Sequence, residues 1–139
     1  MAARTLERDT VDRGRTVLIC DDERRLASLT ALLLERHGYS AVAVSAAAEL
    51  AAALGRPDLK VDIVLLDVNL AGTTARDIIE MLRKSGIRAP VVLTSGYAQE
   101  DVPAAVLGLP GVAGYVMKPF MVDELAESFD RVLERAAAS

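Results

Sequence analysis

Five short apolar runs constrain this chain more than any other feature. They fall at residues 15–20, 41–44, 61–66, 91–94 and 113–117, and within each the apolar residues follow one another instead of alternating with polar ones. A strand with one face in water alternates with period two, whereas a strand covered on both faces reads as an unbroken apolar run. Parallel sheets are covered in this way, because each parallel connection crosses over the sheet and brings a helix with it.

The segments between the runs have the period those crossovers need. Residues 23–37 carry Leu26, Leu29 and Leu33 at helical spacing, and residues 46–54 are Ala-rich and closed by Gly55 and Pro57. Residues 74–84 put Ile78, Ile79 and Leu82 on one face, with Thr74 and Asp77 spaced as a capping pair and Gly86 beyond the end. Residues 101–107 form a weaker helix, in which Pro103 is tolerable only in the first turn. Residues 121–136 form the clearest helix, with Val122, Leu125, Ala126, Phe129, Val132 and Leu133 on one stripe. The alternation predicts a doubly wound α/β domain over residues 15–136, with residues 1–14 a flexible polar arm and 137–139 a short tail. A length of 139 residues suits one such domain.

Charge narrows the function. A net charge of -4 gives no basic stripe with which to neutralise phosphates, so nucleic acid is not an expected partner. No apolar run approaches the roughly 20 residues of a membrane-spanning helix, and residues 1–15 mix Arg with Asp and Glu, unlike a secretory leader. Cys20 has no second cysteine to pair with, which fits a reducing cytoplasm, and its expected role is that of a small buried hydrophobe. His37, beside Gly38 at the end of the first helix, reads as a cation facing the helix dipole. Gly108, Gly111 and Gly114 do not match a dinucleotide fingerprint, and no P-loop sequence is present.

In doubly wound sheets the ligand site lies beyond the carboxyl ends of the strands, near the point where strand order reverses. Here the first strand runs into Asp21 and Asp22, the third into Asp67, the fourth ends at Thr94-Ser95, and the fifth runs into Lys118-Pro119. With strands one and three adjacent, three carboxylates meet at one edge. Each pair about 4 Å apart costs roughly 4 kcal/mol at an effective dielectric near 20. Lys118 is one group that offsets this; a hard divalent cation is another, and an all-oxygen site suits Mg²⁺. A cation there would also neutralise an incoming phosphoryl group. Asp67 would then be the nucleophile, with Lys118 and Thr94 each holding a phosphoryl oxygen.

The set Asp21-Asp22, Asp67, Thr94 and Lys118-Pro119-Phe120 resembles the receiver domain of bacterial two-component response regulators. The resemblance covers roughly residues 15–136. It implies a flavodoxin-like (βα)5 sheet of strand order 2-1-3-4-5. It further implies Asp67 as phosphoacceptor, with Thr94 and Lys118 its catalytic companions. One Mg²⁺ would be bound directly by Asp22, Asp67 and the backbone carbonyl of Asn69, with Asp21 acting through water. The donor would be a phosphohistidine of a sensor histidine kinase or histidine phosphotransfer protein. The receiver itself would catalyse both the transfer and the later hydrolysis, on which Asn69 and Gly96 bear. Thr94 would move toward the phosphoryl group and Tyr115 would turn inward as the switch. The fourth helix, fifth strand and fifth helix would present the result to a downstream protein target or to a second copy. The Lys118–Pro119 peptide is expected to be cis. With no output domain in view, a free-standing cytoplasmic regulator is expected; residues 92–98 also resemble receivers attached to hybrid kinases.

Two positions depart from the family pattern. Ala71 stands where many members have Pro, and Ala75 where many have Gly. Loss of Pro loosens the loop, loss of Gly removes easy access to positive φ, and Gly72 offers a shifted turn. Blander readings stand beside the functional ones: Asp22 as a helix cap, Thr94 as a turn residue, Tyr115 as core packing. An aspartyl-phosphate hydrolase is a competing reading, although Asn69 stands where those enzymes place a second Asp. A pseudo-receiver used only for docking or dimerisation is another.

Overall fold

Uninterrupted burial of the central runs dictates the architecture. In this computed structural model, which describes residues 14–138, the strands are β1 Thr16–Cys20, β2 Ser40–Val44, β3 Ile63–Asp67, β4 Val91–Ser95 and β5 Val112–Met117. The helices are α1 Arg24–Arg36, α2 Ala47–Leu54, α3 Ala75–Lys84, α4 Ala104–Leu107 and α5 Val122–Ala138. The arm expected at residues 1–14 lies, apart from Gly14, outside the described residues, as does Ser139.

The strands form one parallel sheet of order β2-β1-β3-β4-β5, the expected order. Every residue of β3 and β4 is buried. Successive side chains point to opposite faces, so each strand feeds two cores. Leu18, Val64, Leu66, Val91 and Leu93 meet α2, α3 and α4 on one side. Val17, Ile19, Ile63, Leu65 and Val92 meet α1 and α5 on the other. Phe129 of α5 is fully buried and stacks edge-on to Tyr39, with ring centroids 5.9 Å apart.

Three boundaries differ from expectation by more than one residue, the first two for identifiable reasons. The third strand starts at Ile63 instead of residue 61, and the Asp62 carboxylate takes the Thr16 backbone N–H at 2.8 Å. The helix expected at 101–107 is split into a 3₁₀ turn, Gln99–Asp101, and the short α4. Pro103 sits between them as the N-terminal cap of α4. It lacks an N–H and cannot continue a helix begun before it. The last helix runs past residue 136 to Ala138. Thr74 caps α3 as its spacing suggests, accepting from the Asp77 N–H at 3.1 Å.

Candidate functional site

The parallel register brings the expected side chains to one end of the sheet. Cys20 pairs with Leu66, Asp67 with Thr94, and Ser95 with Met117. Asp21, Asp67, Thr94 and Lys118 therefore emerge together at the carboxyl ends of β1, β3, β4 and β5. Asp67 and Lys118 line a cavity of about 580 Å³, together with Asp22, Glu23, Asn69 and Gly96.

Lys118 is the hub. Its Nζ lies 2.8 Å from Asp67 Oδ2, 2.8 Å from Asp21 Oδ2 and 3.1 Å from Glu23 Oε1. The Asp21 and Asp67 side chains are each only 6% exposed and that of Lys118 12%, so the two aspartate contacts are shielded from water. The Lys118 backbone N–H donates to the Ser95 carbonyl at 2.8 Å, and the Lys118–Pro119 peptide is cis, as expected. Burial alone would lower the lysine pKa. The hydrogen bonds to Asp21 and Asp67 more than reverse this and hold it above the ordinary range. Burial raises the Asp21 carboxyl, against the pull of Lys118 and of the Glu23 N–H.

The second carboxylate oxygens take backbone donors. The Asn69 N–H donates to Asp67 Oδ1 at 2.8 Å, and the Glu23 N–H donates to Asp21 Oδ1 at 2.9 Å. Asp67 is thus held at both oxygens, which fixes the direction of its carboxylate.

Asp21, Asp22 and Asp67 each offer a carboxylate oxygen, and these oxygens lie within 4.8 Å of one another. An all-oxygen cluster fits a hard divalent cation, and the single Lys118 ammonium does not neutralise three carboxylates. Asp22 is exposed, while Asp21 is buried. Asp22 does not cap α1: the cap position is Glu23, and no side chain makes the cap hydrogen bond.

The hydroxyl of Thr94 is, among the described residues, the buried side-chain polar atom without a hydrogen-bond partner. A buried hydroxyl in that state is costly unless something else satisfies it. Tyr115 is half-buried, and its hydroxyl is already engaged. It lies 2.6 Å from Ser95 Oγ and donates to the Tyr97 carbonyl. Ser95 Oγ in turn accepts from the Tyr97 N–H at 3.1 Å. Glu23, Ser95 and Tyr97 are site neighbours that sequence reasoning missed. Their signals were adjacency to the acidic pair and to Thr94.

The loop after Asp67 answers the Ala71 and Ala75 departures. The left-handed residue is Gly72, at φ +79°, and no non-glycine among the described residues has positive φ. Ala75 is simply the first residue of α3, so it needs no glycine. His37 ends α1 as expected and also reaches across to α5, with Nε2 3.0 Å from Asp123 Oδ1.

A family model described as "Response regulator receiver domain" matches residues 17–130. The chain belongs to the response regulator receiver family. The receiver is 38% identical over 112 residues to the uncharacterized transcriptional regulatory protein YkoG of Bacillus subtilis, covering 78% of this chain and 46% of that protein. It is 30% identical over 124 residues to the phosphate regulon transcriptional regulatory protein PhoB of Pseudomonas aeruginosa, covering 88% and 53%. It thus spans about half the length of these relatives. Among solved structures, a response regulator receiver domain protein from Clostridium thermocellum shares the fold, with a TM-score of 0.74 at 21% identity, covering 89% of this chain and 98% of that one. NtrX from Brucella abortus superposes with a TM-score of 0.76 at 26% identity, covering 88% of this chain and 28% of that one. Among the described residues no helix is long and apolar enough to cross a membrane.

Proposed function

We propose that this receiver accepts a phosphoryl group on Asp67 from the phosphohistidine of a sensor histidine kinase or histidine phosphotransfer protein, in the cytoplasm, and that the modified state alters binding of a downstream protein. One observation carries the reading: a buried, doubly held carboxylate lies beside a shared ammonium and, one strand over, a buried hydroxyl without a partner.

The chemistry follows from these groups. An Asp67 oxygen attacks phosphorus, the P–N bond breaks, and its electron pair leaves with the imidazole. Lys118, already 2.8 Å from Asp67 Oδ2, pairs with a phosphoryl oxygen through a charge-assisted contact. The Thr94 hydroxyl donates to another oxygen and thereby gains the partner it lacks. Asp22, Asp67 and the Asn69 carbonyl would hold one Mg²⁺, with Asp21 acting through water. When bound, that ion supplies positive charge to the phosphoryl oxygens. Asn69 and Gly96 flank the path of the water that later hydrolyses the acyl phosphate.

The switch is a two-state element biased by the new contacts. Movement of Thr94 is transmitted to Ser95, and through it to the Tyr115 hydroxyl and the Tyr97 backbone. The exposed apolar side chains Tyr97, Met117 and Met121 lie beside that element. They suit a protein target, or a second copy, on the α4–β5–α5 face.

The test is transfer of radiolabelled phosphate from a panel of phosphorylated histidine kinases and phosphotransfer proteins to the parent chain and to Asp67→Asn. Label is expected on the parent in the presence of Mg²⁺ and not on the variant. A downstream protein that binds equally with and without phosphate would instead support a docking-only pseudo-receiver.

A further inference from the structure

Glu23 occupies the N-cap position of α1, yet its side chain makes no cap hydrogen bond. Helix caps favour short oxygen-bearing side chains that fold back on their own helix. Glu23 instead reaches across the fold to Lys118 Nζ, 95 positions away in the chain, at 3.1 Å. Its side chain is 63% exposed and lines the mouth of the cavity that contains Asp67. Helix capping therefore does not explain its placement, and core packing does not either.

We propose that Glu23 is a charge gate that sets which phosphodonors Asp67 uses, favouring P–N donors over more anionic acyl phosphates. The inference rests on Asp67 as the acceptor and deepens that reading. Two effects act together. Glu23 competes with the incoming phosphoryl oxygens for Lys118, and its exposed negative charge repels a donor entering past it. Neighbouring Asp22, also exposed, adds to the same field.

The two donor classes differ in charge and not in the bond they form. With phosphoramidate, protonated on nitrogen, the P–N bond breaks as Asp67 forms its P–O bond, and neutral ammonia leaves with the electron pair. With acetyl phosphate, a dianion at neutral pH, the P–O bond breaks and acetate leaves. A gate made of negative charge penalises the second donor more. Phosphohistidine with its imidazole protonated carries the same net charge as phosphoramidate and falls in the favoured class.

The experiment measures phosphorylation rates of the full chain, Glu23→Gln, Glu23→Asp and Asp67→Asn with Mg²⁺ and each small donor, at low and high salt. Glu23→Gln is expected to raise the acetyl phosphate rate by about 3–10-fold at low salt, with a smaller gain for phosphoramidate. Both gains should shrink at high salt. Glu23→Asp keeps the charge and should keep the parent's donor preference. An equal change for both donors, a salt-independent change, or a slower reaction of Glu23→Gln overturns the gate while leaving Asp67 as acceptor. Labelling that survives in Asp67→Asn overturns the acceptor assignment itself.

Discussion

Asp67 and Thr94 stand opposite each other at the ends of β3 and β4, and the Thr94 hydroxyl is buried there without a partner. Leaving a buried hydroxyl unsatisfied costs about 1–3 kcal/mol. The receiver therefore carries a local instability that a phosphoryl oxygen on Asp67 can relieve.

This relationship predicts opposite effects of one substitution on folding and on signalling. Thr94→Val keeps the shape and removes the hydroxyl. It should stabilise the unphosphorylated domain by about 1 kcal/mol, read by urea unfolding. It should also weaken the response of partner binding to phosphorylation. Loss of stability in Thr94→Val would mean that the hydroxyl is satisfied after all.

Removing Lys118 leaves Asp21 and Asp67 buried without their cation. Lys118→Ala should cost about 3–5 kcal/mol near neutral pH, because a broken buried ion pair leaves uncompensated charge. The pH dependence has a definite sign. Burial already raises the Asp21 carboxyl, and without the pull of Lys118 it rises further above its unfolded value, so the folded state binds more protons. Stability of the variant then increases as pH falls through the carboxylate range. Chemical unfolding at pH 7 and pH 5 checks this, and a deficit that grows toward acid would contradict it.

Cys20 is fully buried. Burial first, and then the charge of Asp21, push its thiol from an ordinary value near 9.0 up to about 12. Above about pH 9 the unfolded chain loses this proton while the folded chain keeps it, so folding stability falls as pH rises. The expected slope from this group averages about 1 kcal/mol per pH unit between about pH 9 and 10, rising toward about 1.4 above that. In metal-free buffer the parent should show that slope more steeply than Cys20→Ala at pH 9–10, below the range where lysines dominate. Equal slopes would contradict the prediction.

The parallel α/β alternation, both faces of the core and the principal strand-end side chains could be read from residues alone, because they depend on period and position, whereas the strand order came with the family resemblance. Asp67, Asp21 and Lys118 fall where unbroken apolar runs end, and the parallel register does the rest. The interruption at Pro103 was visible as a constraint, but not as a split into two short turns. Glu23 and Ser95 were missed for a different reason. Their roles come from contacts with Lys118 and Tyr115, which no local pattern encodes. The loop after Asp67 was misleading in the residues it lacks: Gly72 supplies the left-handed turn, so Ala75 has none to make.

The most direct measurement is intact-protein and peptide mass analysis after incubation with phosphoramidate and Mg²⁺. The account predicts one added phosphoryl group on Asp67, stable in acid and lost in base, absent from Asp67→Asn and reduced by a chelator. A modification elsewhere, or an equally modified Asp67→Asn, would contradict it.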